Sequence, residues 1–93
     1  MAFDWTDAAS RLLKAEISRE GVTLARLAAR LNAMGIQETE ASLKNKLYRG
    51  TFSTTFFMQA ITALGRSTVD VGAVVPADVP RGRDLDGQPP PAA

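Results

Sequence analysis

The chain contains neither histidine nor cysteine. Without histidine it lacks the side chain that most often serves as a general base near neutral pH. Without cysteine it has no thiol nucleophile and no disulfide framework, and with both missing it has few of the usual transition-metal ligands. Catalysis by carboxylates alone needs a setting that shifts a pKa, and nothing in the sequence around Glu38/Glu40 or Asp84/Asp86 suggests one. No enzymatic activity, metal or cofactor is therefore expected. Long apolar runs are also missing: none approaches the roughly 20 residues that span a bilayer. The start, MAFDWTDAAS, is acidic and lacks the basic opening and apolar stretch of a secretory signal. A reducing bacterial cytoplasm is the expected location. Excess charge of one sign is lacking as well. The net charge is +1, so any role on nucleic acid must rest on local placement of cations rather than on bulk attraction.

What is present suits one small domain. The 93 residues are 45% apolar, enough for a core, though near the lower end of what one core stabilises alone. The few aromatics lie at the two ends of the apparent core: Phe3 and Trp5, then Tyr48, Phe52, Phe56 and Phe57.

Apolar spacing predicts four helices. Over 7–20, Ala9, Leu12, Leu13 and Ile17 share a face, with Asp4 or Thr6 as cap and Gly21 as stop. The charges Arg11, Lys14, Glu16, Arg19 and Glu20 mostly fall on other faces, and Trp5 is expected to fold back onto the core as an anchor. A second helix starts at the cap Thr23, buries Leu24, Leu27, Ala28, Leu31 and Met34, and stops at Gly35. A third runs from about Glu38 or Thr39 to Arg49, with Gly50 as stop. Only Leu43 and Leu47 are strongly apolar in it, so its buried stripe is narrow. A fourth starts at Ser53 or Thr54 and ends at Leu64 and Gly65, with Phe56, Phe57, Ala60, Ile61 and Leu64 on a broad apolar face. Phe52 is placed to staple onto Phe56 or Phe57. Beyond it, Val69, Val71, Ala73 and Val75 alternate as in a short strand. From Pro76 the chain is rich in Pro, Gly and Asp and is expected to be mostly disordered. The expected organisation is a helical domain over 1–65, a strand or dimerisation segment over 66–75, and a tail over 76–93. The fold class is all-α.

Helices two and three, joined across NAMGIQE, meet the requirements of a helix-turn-helix. Ala28 is small where the next helix would cross, and Leu43 and Leu47 anchor one side only. On the outer side, Ser42, Asn45 and Lys46 carry groups able to meet base edges, while Lys44 and Arg49 suit phosphates. Thr23 and Ser53 are caps first, and the helix N-termini they mark are also candidate phosphate sites. Glu38 and Glu40 have two readings: charges favourable at a helix N-terminus, or groups that repel phosphate. Tyr48 is expected to pack at the core edge.

The segments LLKAEISREGVTLARLAARL and LKNKLYRGTFSTTFFMQAITALG resemble the phage-repressor (Cro/C1, xenobiotic-response-element) type of helix-turn-helix domain. The likeness lies in a first helix ending in Gly, a Thr-capped second helix, a third helix ending in Arg-Gly, and a capped fourth ending in Ala-Leu-Gly. More narrowly, the pattern over about residues 5–65 is similar to a small bacterial domain family of unassigned function. The resemblance implies a compact, lambda-repressor-like four-helix fold. It places the base-reading positions at Thr39, Ser42, Asn45 and Lys46, beside the phosphate candidates Thr23, Lys44, Arg49 and Ser53 read from the residues themselves. The interval from Ala28 to Leu43 is longer than in the repressor pattern, which implies a lengthened second helix, a wider turn or both.

These features point first to a transcriptional regulator that inserts residues 39–49 into the major groove of double-stranded DNA. Residues 68–75 are a candidate homodimerisation segment. The alternative is a protein-interaction module that keeps the fold without binding DNA itself, including an antitoxin-like form whose tail orders on a partner.

Overall fold

Side-chain caps decide where each helix begins. In the structure, a computed structural model that describes residues 2–87, the helices are α1 (Trp5–Arg19), α2 (Leu24–Ala33), α3 (Glu40–Arg49) and α4 (Thr54–Ala63). Asp4 accepts from the Asp7 amide, Thr23 from Arg26, Thr39 from Ser42 and Ser53 from Phe56. Each such bond satisfies an otherwise orphaned amide of the first turn. The fold is all-α, with no strand among the described residues.

The four apolar faces meet in one core. Leu13 and Ile17 of α1 pack with Leu27, Ala28 and Leu31 of α2, Leu43 and Leu47 of α3, and Phe56, Ala60 and Ile61 of α4. Helix α3 lies against α1 and α2, and α4 lies against α2 and α1. The start of α1 is fixed to the end of α3 by one hydrogen bond and one close backbone approach. The buried Ser10 hydroxyl donates to the Leu47 carbonyl, and Gly50, at φ 69°, passes directly beneath the Thr6 carbonyl. Phe52 does staple α4: its ring lies 5.5 Å from Phe56, edge-on, and 6.2 Å from Phe57, stacked.

The interval between the core residues Ala28 and Leu43 is taken up by the end of α2, a six-residue connection and the first turn of α3. Helix α2 continues to Ala33, and residues 34–39 then form an extended connection. Met34 was expected on the buried face. It is instead 44% exposed, because the helix ends there and Gly35 turns the chain away.

Three other expectations are corrected. Trp5 is the first residue of α1 and 57% exposed, with its ring edge-on to Phe3 at 4.7 Å. Because Asp4 takes the cap, Trp5 falls in the first turn and borders a recess with Val71, Val74 and Val75 instead of entering the core. The alternating valines form no strand. The Asp70 carboxylate accepts from the Gly72 amide at 2.9 Å and sets up a 3-10 turn at Val71–Ala73. A lone strand would leave its backbone unpaired, and the capped turn satisfies part of it locally. Finally, Glu16 is only 2% exposed rather than on a solvated face.

The counter-charge for Glu16 comes from beyond α4. Arg66 Nε lies 3.2 Å from Glu16 Oε2, and its Nη1 lies 3.3 Å from Glu20 Oε2. Arg19 adds a longer contact to Glu16, at 3.4 Å. In the segment expected to be a disordered tail, residues up to 87 follow a path of turns with a 3-10 helix at Gly82–Leu85. Arg81 donates there to the carbonyls of Val75 and Pro76. The rest of that segment lies outside the described residues.

Candidate nucleic-acid interface

Two leucines orient α3. With Leu43 and Leu47 facing the core, at 1% and 5% exposure, a helical projection puts Ala41, Asn45 and Tyr48 opposite them. These three are spaced four and three residues apart, so they form one continuous outer ridge. Arg49 flanks it on one side and Lys44 on the other, and all five side chains are exposed. Tyr48, expected at the core edge, is 87% exposed. Seven residues beyond Ala41, it belongs to the ridge. Behind the ridge, Tyr48 and Arg49 border a polar groove shared with the N-cap Asp4 and with Thr6, Asp7, Ser10 and Lys14 of α1.

The start of α3 is a closed polar network. Thr39 and Ser42 cap reciprocally: the Ser42 amide donates to the Thr39 hydroxyl at 3.0 Å and the Thr39 amide to the Ser42 hydroxyl at 2.8 Å. Ser42 in turn donates to Glu38 Oε1 at 2.6 Å. Lys46, two turns along, places its ammonium on Glu38 Oε2 and 4.4 Å from the centre of the Phe56 ring. The Glu38 side chain is 7% exposed, and its amide donates to Asn32 Oδ1 at 3.2 Å. Burial pushes the Glu38 carboxyl up, but the Lys46 ammonium and the Ser42 hydroxyl outweigh it and hold the group below its ordinary value.

The sequence-derived positions thus fall into separate groups. Thr39, Ser42 and Lys46 are drawn together around Glu38, on the flank nearer the core. Asn45 and Arg49 stand on the outer side. Lys44 pairs with Glu40 at 3.5 Å, an exposed contact within one helical turn. Thr23 and Ser53 sit at the N-caps of α2 and α4 with their hydroxyls engaged by their own helices. Among the described residues, Arg49 has no acidic side chain within ion-pair distance. It is the one α3 cation in that condition.

Sequence reasoning overlooked Tyr48 as an outward group, Glu38 as an internal partner, and Lys14 as a neighbour of Arg49. Helical projection from Leu43 carried the signal for Tyr48. The eight-residue separation of Glu38 and Lys46 spans a cap, and simple helical spacing gives no hint of their contact.

A family model described as a domain of unknown function, DUF6471, matches residues 5–69. The chain belongs to that family. The matched span takes in all four helices and runs on through Arg66. Neither a curated protein nor a solved structure matches the chain. No described helix is long and apolar enough to cross a membrane. Among the described residues, no cluster of acidic side chains is placed to hold a metal ion.

Proposed function

We propose that this chain is a DNA-binding transcriptional regulator of repressor-like fold that lays α3 in the major groove. The observation that carries the reading is the outer ridge of α3. A helix held by only two leucines presents Asn45, Tyr48 and Arg49 outward, with no acidic side chain on the ridge itself. Asn45 offers the amide pair that recognises adenine, and Arg49 is available to a phosphate or to guanine. A single helix reads few bases, so the working form is a dimer on half-sites about 34 Å apart. The helix N-termini at Thr23 and Ser53 serve as further phosphate contacts.

The test is selection of bound fragments from genomic DNA, followed by titration of the selected duplex at two salt concentrations. Asn45→Ala should lose about 1–3 kcal/mol on the selected sequence and little on a mixed one. Arg49→Ala should weaken both and flatten the salt dependence. Binding that is absent, or indifferent to salt, would refute the reading.

A second reading, a module that binds another protein, is favoured by one observation. Two of the three α3 cations are already paired within the chain. Recovery of a stoichiometric protein partner with no enrichment of DNA would favour it.

A further inference from the structure

We infer that Glu38 is a positioning residue which withholds Lys46 and Ser42 from DNA and so confines readout to Asn45 and Tyr48 of the outer ridge and the flanking Arg49. The inference rests on the DNA reading above and goes beyond it. On sequence grounds Lys46 and Ser42 are the natural partners of Asn45, yet both are committed to one carboxylate. The Ser42 hydroxyl lies 2.6 Å from Glu38 Oε1 and 2.9 Å from the Thr39 carbonyl oxygen, both acceptors, while its own oxygen accepts from the Thr39 amide. Turning the Ser42 side chain toward DNA would break the reciprocal cap of α3.

Lys46 is held more firmly still. Its ammonium is shared between the Glu38 carboxylate and the face of Phe56, a core residue only 4% exposed. A phosphate competing for that ammonium would have to leave Glu38 charged and nearly dry. Stripping the partner from a buried ion costs more than a solvent-screened contact returns. The Asn32 side chain, which accepts from the Glu38 amide, fixes the residue from the α2 side. The carboxylate thus sets the effective charge of α3 as well as the direction of two side chains.

Salt dependence separates this arrangement from a merely structural ion pair. The probe is a short DNA duplex of mixed sequence, titrated with the full chain, Lys46→Ala, Glu38→Gln and the double variant. Circular dichroism first verifies that each is folded. The parent and Lys46→Ala should give the same slope of log affinity against log salt. Glu38→Gln releases Lys46 and should steepen the slope by about 0.9, the increment for one phosphate. Between about 50 and 200 mM salt its affinity should therefore fall about 3.5-fold further than the parent's. The double variant should return to the parental slope.

A shallower slope for Lys46→Ala would overturn the inference, because Lys46 would then already be on a phosphate. That comparison stands even if Glu38→Gln fails to fold. An unchanged slope for folded Glu38→Gln would overturn it equally. If none of the four proteins binds DNA at any salt, the functional reading falls and takes the inference with it. Binding with the wrong slopes removes the inference alone.

Discussion

Gly50 and Thr6 are joined by a space too small for a methyl group. A Cβ built on Gly50 would lie 2.3 Å from the Thr6 carbonyl oxygen, and the residue's φ of 69° already disfavours a side chain. The obstacle is backbone, at the start of α1, and it cannot rotate aside. Gly50→Ala should destabilise the protein by at least about 2 kcal/mol, from the left-handed penalty of roughly 1–2 kcal/mol plus the clash. Gly35, at φ 84° with nothing near its added Cβ, supplies the control and should lose only the backbone part. Urea denaturation of both variants makes the comparison, and equal losses would contradict it.

The Arg66 guanidinium beside Glu16 predicts an asymmetry between two arginines. Arg66→Ala leaves a carboxylate that is 2% exposed without its main counter-charge and should cost about 1–3 kcal/mol. The figure is kept below that of a fully buried pair because the guanidinium is 29% exposed. Arg19→Ala removes a longer contact from a side chain that is 53% exposed, so it should cost less than about 1 kcal/mol. Chemical denaturation of the two variants should rank them in that order.

Glu38 predicts a pH dependence with a definite sign. Its folded pKa lies below the ordinary 4.5, so its contribution is complete above that value and is lost as pH falls through the folded pKa. The stability gap between the parent and Glu38→Gln should be constant near neutrality and should shrink below pH 4.5. Asp4, also held low by its amide and hydroxyl donors, titrates in the same region, but it is common to both proteins and cancels in the difference. Unfolding free energies over a series of acid buffers measure the gap, and a gap independent of pH would be the contrary result.

Tyr48 should dissociate function from stability. A side chain 87% exposed contributes little to the fold, so Tyr48→Ala should leave unfolding within about 0.5 kcal/mol of the parent. The same change should weaken binding to a selected DNA duplex, because the ridge loses its largest member. A stability loss comparable to a core substitution would show that the ring is packed in solution.

Much of this architecture could be read from the chain alone, for local reasons. Thr23 and Ser53 act on amides three residues away, and Gly50 closes the helix it follows, so sequence neighbours suffice to find them. The narrow stripe of Leu43 and Leu47 likewise follows from spacing. Long-range pairing was hidden. Glu16 sits among charged residues and looks solvated until Arg66, far along the chain, is seen to cover it. The valines after α4 alternate as a strand would, but an alternation does not reveal whether a neighbouring strand exists, and Asp70 turned the segment first. At the candidate interface the types of side chain were legible, while their commitments were not. Lys46 and Ser42 looked available because Glu38, just outside the helix, was read for its effect on the helix N-terminus or on phosphate, not as their partner.

The Arg66 contact also sets where this domain ends. A protein cut after Gly65 would keep all four helices complete and still leave the buried Glu16 carboxylate with only its longer Arg19 contact. Boundaries drawn from helices alone would therefore be too short for a fusion or an excised fragment. The segment to transplant must carry its closing arginine with it, as the family match through residue 69 does.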